Sequence, residues 1–95
     1  MNWSEDIVLS IWEKGTVAPN YDPKKYRKDE CKAWMKFDEY GNRDSSFGWD
    51  INHIGPMQNY STKNLIPLQW ENYIEKNIGS MKCKVTSSGN KNIQI

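Results

Sequence analysis

Residues 48–56 read GWDINHIGP, and residues 64–76 read NLIPLQWENYIEK. The first stretch ends an alternating run on the chain's single histidine: Trp49, Ile51 and His53 fall on one side of an extended segment, Asp50, Asn52 and Ile54 on the other. Gly55 and Pro56 then break the run. An antiparallel partner is expected just upstream in AWMKF (33–37), with Ala33, Met35 and Phe37 on one side and YGNRDSS (40–46) supplying the turn. The second stretch predicts a helix from about Leu68 to Asn77. Pro67 is tolerated at its start, Gly79 stands past its end, and Leu68, the stem of Glu71, Ile74 and Ile78 form its buried face.

Outward from this centre, Ser4 is placed to cap a helix with Glu5 and Asp6 in its first turn, Ile7, Val8, Ile11 and Trp12 on one face, and Gly15 at its end. TVAPNYDPKKYRKD (16–29) carries two prolines and reads as a surface connector without a continuous regular element. The tail KCKVTSSGNKNIQI (82–95) reads as two short strands around SSGN. The expectation is one α+β domain spanning 1–95. Five tryptophans, five tyrosines and two phenylalanines must supply much of its buried area, with Trp34, Trp49 and Trp70 expected to fasten the strands to the second helix.

No apolar run approaches the ~20 residues a membrane span needs, and no basic start followed by a short apolar run marks a secretion signal, so a cytosolic protein with no membrane partner is expected. Cys31 and Cys83 stand 52 positions apart with no second cysteine near either, which excludes the paired spacing of a structural zinc knuckle. Spacing alone leaves a disulfide open, and the cytosolic setting favours two reduced thiols. The net charge of +1 is unevenly laid out: KKYRKDECKAWMK (24–36) holds six bases against two acids, and after Glu75 the chain carries only bases. If the two segments meet they make a phosphate-attracting face; apart, they are ordinary solvated lysines.

The order of strand ending in histidine, loop, Asn-Leu-x-Pro-Leu and helix is similar to the HNH endonuclease superfamily, whose shared unit is the ββα-metal finger. WDINHIGP and, eleven residues after His53, the Asn64 of NLIPLQWENYIEK carry the likeness. YRKDECKAW, DEYGNR ahead of GW, and the Lys-Val-Thr tail resemble a bacterial subgroup, so the likeness runs from about Ile11 onward. It implies a ββα-metal finger flanked by an N-terminal helix and a C-terminal β-hairpin, and DNA hydrolysis that leaves a 3′ hydroxyl.

In that reading His53 is the general base and Asn64 steadies the loop through its side-chain amide. A divalent ion, Mg²⁺ or Mn²⁺, stabilises the charge on phosphate oxygens. The chain departs from the family where ligands are expected: the position before the histidine is Asn52, and the helix position is Tyr73. A neutral amide and a phenol make weak ligands for a hard cation, so weak affinity is expected, with Asp50 and Asn77 as candidates to complete the set. Lys76, Arg27, Lys28, Lys32 and Lys36 are candidate phosphate contacts. The alternatives are a module of the same fold that binds nucleic acid or a protein without cutting, and a subunit whose missing ligands come from another chain.

Overall fold

The computed structural model describes residues 3–55, 61–75 and 79–95. Helix α1 (Glu5–Trp12) begins where the Ser4 hydroxyl accepts from the Ile7 N–H at 3.3 Å, with Glu5 and Asp6 in its first turn. It buries Val8, Ile11 and Trp12, as the apolar spacing foretold. Among the described residues eight short strands follow in antiparallel pairs: β1 (Tyr26–Lys28) with β2 (Trp34–Lys36), β3 (Trp49–His53) with β4 (Leu65–Gln69), β5 (Tyr73–Ile74) with β6 (Met81–Lys82), and β7 (Val85–Ser88) with β8 (Lys91–Gln94). Together these make a small α+β architecture.

Two expectations fail here. The segment read as a helix from Leu68 begins as strand: Leu68 and Gln69 belong to β4, a turn follows, and Tyr73 and Ile74 form β5. Cross-strand pairing along the β3–β4 ladder outweighs the local helical spacing, and Pro67 is accommodated because a two-stranded pair consists only of edge strands. The second failure is register. AWMKF does not pair with WDINHI; β2 takes β1 from the presumed connector, and β3 takes β4.

The core gathers where α1 meets these pairs. Val8, Trp12, Met35 and Trp49 form one cluster, with Trp3, Phe37 and Ile51 packed against it, and Trp12 and Trp49 lie 5.2 Å apart between ring centroids. Each large side chain fully buried in this way contributes about 1.5–3 kcal/mol. Of the three tryptophans expected to join strands to the second helix, Trp49 sits in the core. Trp34 is buried against Tyr21 and Tyr26, and Trp70 is half-buried with its indole donating to the Ser45 carbonyl at 2.8 Å. Gly48 permits a close backbone approach: a Cβ there would come within 1.7 Å of the Asn42 carbonyl oxygen.

Cys31 and Cys83 form a disulfide, with their Cα atoms 5.5 Å apart, which corrects the expectation of two thiols. Disulfides persist where the environment is oxidising, so the bridge points away from the expected cytosolic setting. Among the described residues no helix is long and apolar enough to cross a membrane.

Candidate functional site

The β3–β4 hairpin brings two of the predicted site residues together. His53 closes β3 opposite Leu65, the first residue of β4, and one step further the Ile54 N–H donates to the Asn64 carbonyl at 2.7 Å. Asn64 ends a 3-10 turn (Thr62–Asn64) capped by the Ser61 hydroxyl, which accepts from the Lys63 N–H. The bond that closes the hairpin thus comes from the Asn64 backbone, whereas the sequence suggested its side-chain amide. Lys14, just after α1, reaches the same mouth: its Nζ donates to the Leu65 carbonyl at 2.8 Å and also to the Thr62 carbonyl. Nothing local in the sequence marks Lys14 for this position.

The predicted metal donors are arranged differently. Strand alternation puts Asp50 and Asn52 on one face of β3 and His53 on the other, with Trp49 and Ile51, both of which belong to the core packing. Asp50 is engaged by Arg43 at 3.2 Å, and it lies close enough to Tyr40 to help burial push that phenol's pKa up. Burial is the larger cause. Tyr73 stands on β5 opposite Lys82, 41% exposed, and not on a helix. Asn77 and Lys76 lie outside the described residues.

The donor chemistry is therefore one carboxylate already paired with a guanidinium, one neutral amide and one neutral phenol on a separate strand pair. Among the described residues no three His, Cys, Asp or Glu side chains gather into a group able to hold a metal. This set does not fit a tight divalent-cation site, since hard cations favour several charged oxygens.

The basic candidates divide by strand face. In the β1–β2 pair Lys28 stands opposite Trp34 and Tyr26 opposite Lys36, so these four side chains share one face; Arg27 stands opposite Met35 on the other. Lys28 Nζ lies 4.6 Å from the Trp34 ring centroid. Arg27 is used structurally: its Nε donates to the Pro23 carbonyl, and Nη1 to the Glu13 and Gly15 carbonyls, all at 3.0 Å. Lys32 is exposed at φ 67 in the turn between β1 and β2.

The two basic segments do meet. Trp34 N–H donates to the Asn92 side-chain oxygen at 2.7 Å, the Asn92 amide donates back to the Trp34 carbonyl at 3.0 Å, and the Trp34 indole donates to the Gly89 carbonyl at 2.8 Å. This seats the β7–β8 turn, with Lys91 beside it, against β2. No protein-family model, curated protein or solved structure matches the chain.

Proposed function

We propose that the chain is an HNH-like nucleic-acid-binding domain that grips the phosphodiester backbone, DNA in the first place, and does not cut it. The observation that carries this reading is the outer face of β1–β2, where Lys28 and Lys36 alternate with Tyr26 and Trp34 and the Lys91 turn is held alongside. Lys28 and Lys36 attract phosphates, and the half-buried Tyr26 beside the buried Trp34 offers ring surface to a base. The paired state of Asp50 and the neutral donors Asn52 and Tyr73 favour binding over cleavage.

One observation favours a second reading, a divalent-metal-dependent endonuclease with His53 as the base. His53 closes β3 at the end of the hairpin where the Ile54 N–H meets the Asn64 carbonyl and the Lys14 ammonium reaches the Leu65 carbonyl. In that case Asp50, Asn52 and Tyr73 would have to be completed by ligands from elsewhere.

Anisotropy titration of a labelled duplex across a salt series tests the proposal. Affinity is expected to fall steeply as salt rises, while supercoiled plasmid with Mg²⁺ or Mn²⁺ stays intact. Cleavage abolished by chelator and by His53→Ala would establish the second reading instead. Absence of salt-dependent binding would overturn both.

A further inference from the structure

The aromatic side of the β1–β2 face does not close on itself. Tyr21, Tyr26, Trp34, Phe47 and Asn90 line a pocket of ≈ 240 Å³. That is below the roughly 300–1,000 Å³ of pockets that enclose drug-sized ligands, and suits a single ring system. Its floor is rigid: Trp34 is buried, its indole is bonded to the Gly89 carbonyl, and its backbone is bonded in both directions to Asn92. Its outer wall is Tyr21, 40% exposed.

The rings do not lie face to face. Tyr21 is tilted 53° to Trp34 at 4.7 Å, and Tyr26 stands edge-on to Trp34 and to Phe47, each at 6.5 Å. Trp34 is covered by Tyr21 and Lys28, so the ring surface still open to a ligand is mainly that of the exposed Tyr21.

An aromatic-lined pocket suits two ligand chemistries, a planar base or an alkylated ammonium. Charge decides between them. Lys28 already lies on the Trp34 ring, Lys36 is paired with Tyr26, and Lys91 follows Asn90, so a cation is repelled and a base strung on phosphates is drawn in.

We infer that this pocket holds one unpaired nucleobase, with Tyr21 folding over it and Lys28 and Lys36 on the flanking phosphates. The inference rests on the nucleic-acid reading above and adds a preference for single strands to it. Asn90, exposed among the lining residues, is the polar group available to the edge of a seated base.

Anisotropy with the full chain compares three labelled probes at one salt concentration: oligothymidylate, an abasic strand of the same length, and a duplex. Base stacking is typically worth about five- to 150-fold per base, so oligothymidylate is expected to bind at least about fivefold tighter than the abasic strand. Tyr21→Ala should reduce oligothymidylate to the abasic level and leave the other two probes unchanged, and Tyr21→Trp should restore it. Phe47→Ala supplies a second variant should the first unfold.

Equal binding of the two single strands, or no response to either substitution, overturns the base pocket while duplex binding keeps the broader reading. Failure of all three probes to bind overturns both. Tetramethylammonium filling the pocket in preference to thymidylate, read by tryptophan fluorescence, would also overturn the inference.

Discussion

The Asn72 side-chain amide donates to the Asp29 carboxylate at 2.9 Å, across 43 positions of sequence. The same carboxylate accepts from the backbone N–H groups of Cys31, Ala33 and Gln69, and the Asn72 side-chain oxygen accepts from those of Lys84 and Val85. Two buried polar side chains thus tie the β1–β2 turn, the end of β4 and the start of β7 into one unit. Asn72→Ala leaves several of these buried groups without partners, each costing about 1–3 kcal/mol. The expected loss is ~3 kcal/mol in urea unfolding, and a loss below the scatter of surface substitutions would refute the hub.

Burial pushes the Asp29 pKa above its ordinary value of 3.8, against the lowering pull of the Asn72 and backbone hydrogen bonds. The folded state therefore holds this proton more tightly than the unfolded state. Asp29's contribution is fullest below 3.8 and declines as pH rises through the raised folded value. The stability difference between the unaltered chain and Asp29→Asn should accordingly be larger near that lower bound than at neutral pH. A carboxyl carbon titration by NMR with its midpoint below the ordinary value would reverse the sign.

The Cys31–Cys83 bridge closes a loop of 52 residues. Loop-closure entropy assigns such a crosslink about 4 kcal/mol. Cys31 is buried and Cys83 exposed, so a reductant meets the bond from the Cys83 side. Thiol reductant, or the paired substitution Cys31→Ala with Cys83→Ala, should lower the melting temperature markedly. An unchanged melting curve would mean that the loop is already held closed by other contacts.

What the sequence disclosed was whatever depends on near neighbours. Ser4 and the apolar spacing after it define α1, the SSGN turn defines the β7–β8 hairpin, and the alternation of WDINH defines β3. What it concealed depends on distant partners. LIPLQ and the residues after it carry helix-compatible signals, and only the ladder to β3 makes LIPLQ a strand. The pairing of Cys31 with Cys83 and the donors around Asp29 likewise exist only once the chain has closed. At the site, His53 and Asn64 were singled out through the Asn-Leu-x-Pro-Leu resemblance, whereas the hairpin that brings them side by side was concealed with the β3–β4 ladder. The face shared by Tyr26, Lys28, Trp34 and Lys36 was not legible, because it required the β1–β2 register.

That register separates bases which the sequence alone treats alike. Arg27 is committed to three backbone carbonyls, so Arg27→Ala should cost about 1–3 kcal/mol of stability through the loss of charge-assisted hydrogen bonds, two of them part-buried. Lys36 stands on the outer face, so Lys36→Ala should leave stability within about 0.5 kcal/mol. It should also reduce the slope of log affinity against log salt by about one. Duplex titrations and urea unfolding of both variants check the assignment, and an equal effect of the two on the salt slope would refute it.

Asp50 and Asn52 share one face of β3, two residues apart, and so stand about 6.4–6.8 Å from each other along the strand. Asn52→Asp would set a second carboxylate on that face, and Arg43→Ala would release the first from its ion pair. Without metal the two acids repel, and the doubly substituted chain should melt slightly lower than the unaltered one. If this face is a depleted form of an HNH donor set, Mn²⁺ should more than restore the loss, since a ligand at a hundredfold excess over its Kd stabilises by about 2.7 kcal/mol. Calorimetric titration should then show stoichiometric Mn²⁺ binding to the variant and weak binding to the unaltered chain. Absence of any gain would show that these positions do not form a cation site, leaving the outer face of β1–β2 as the sole support for a role on nucleic acid.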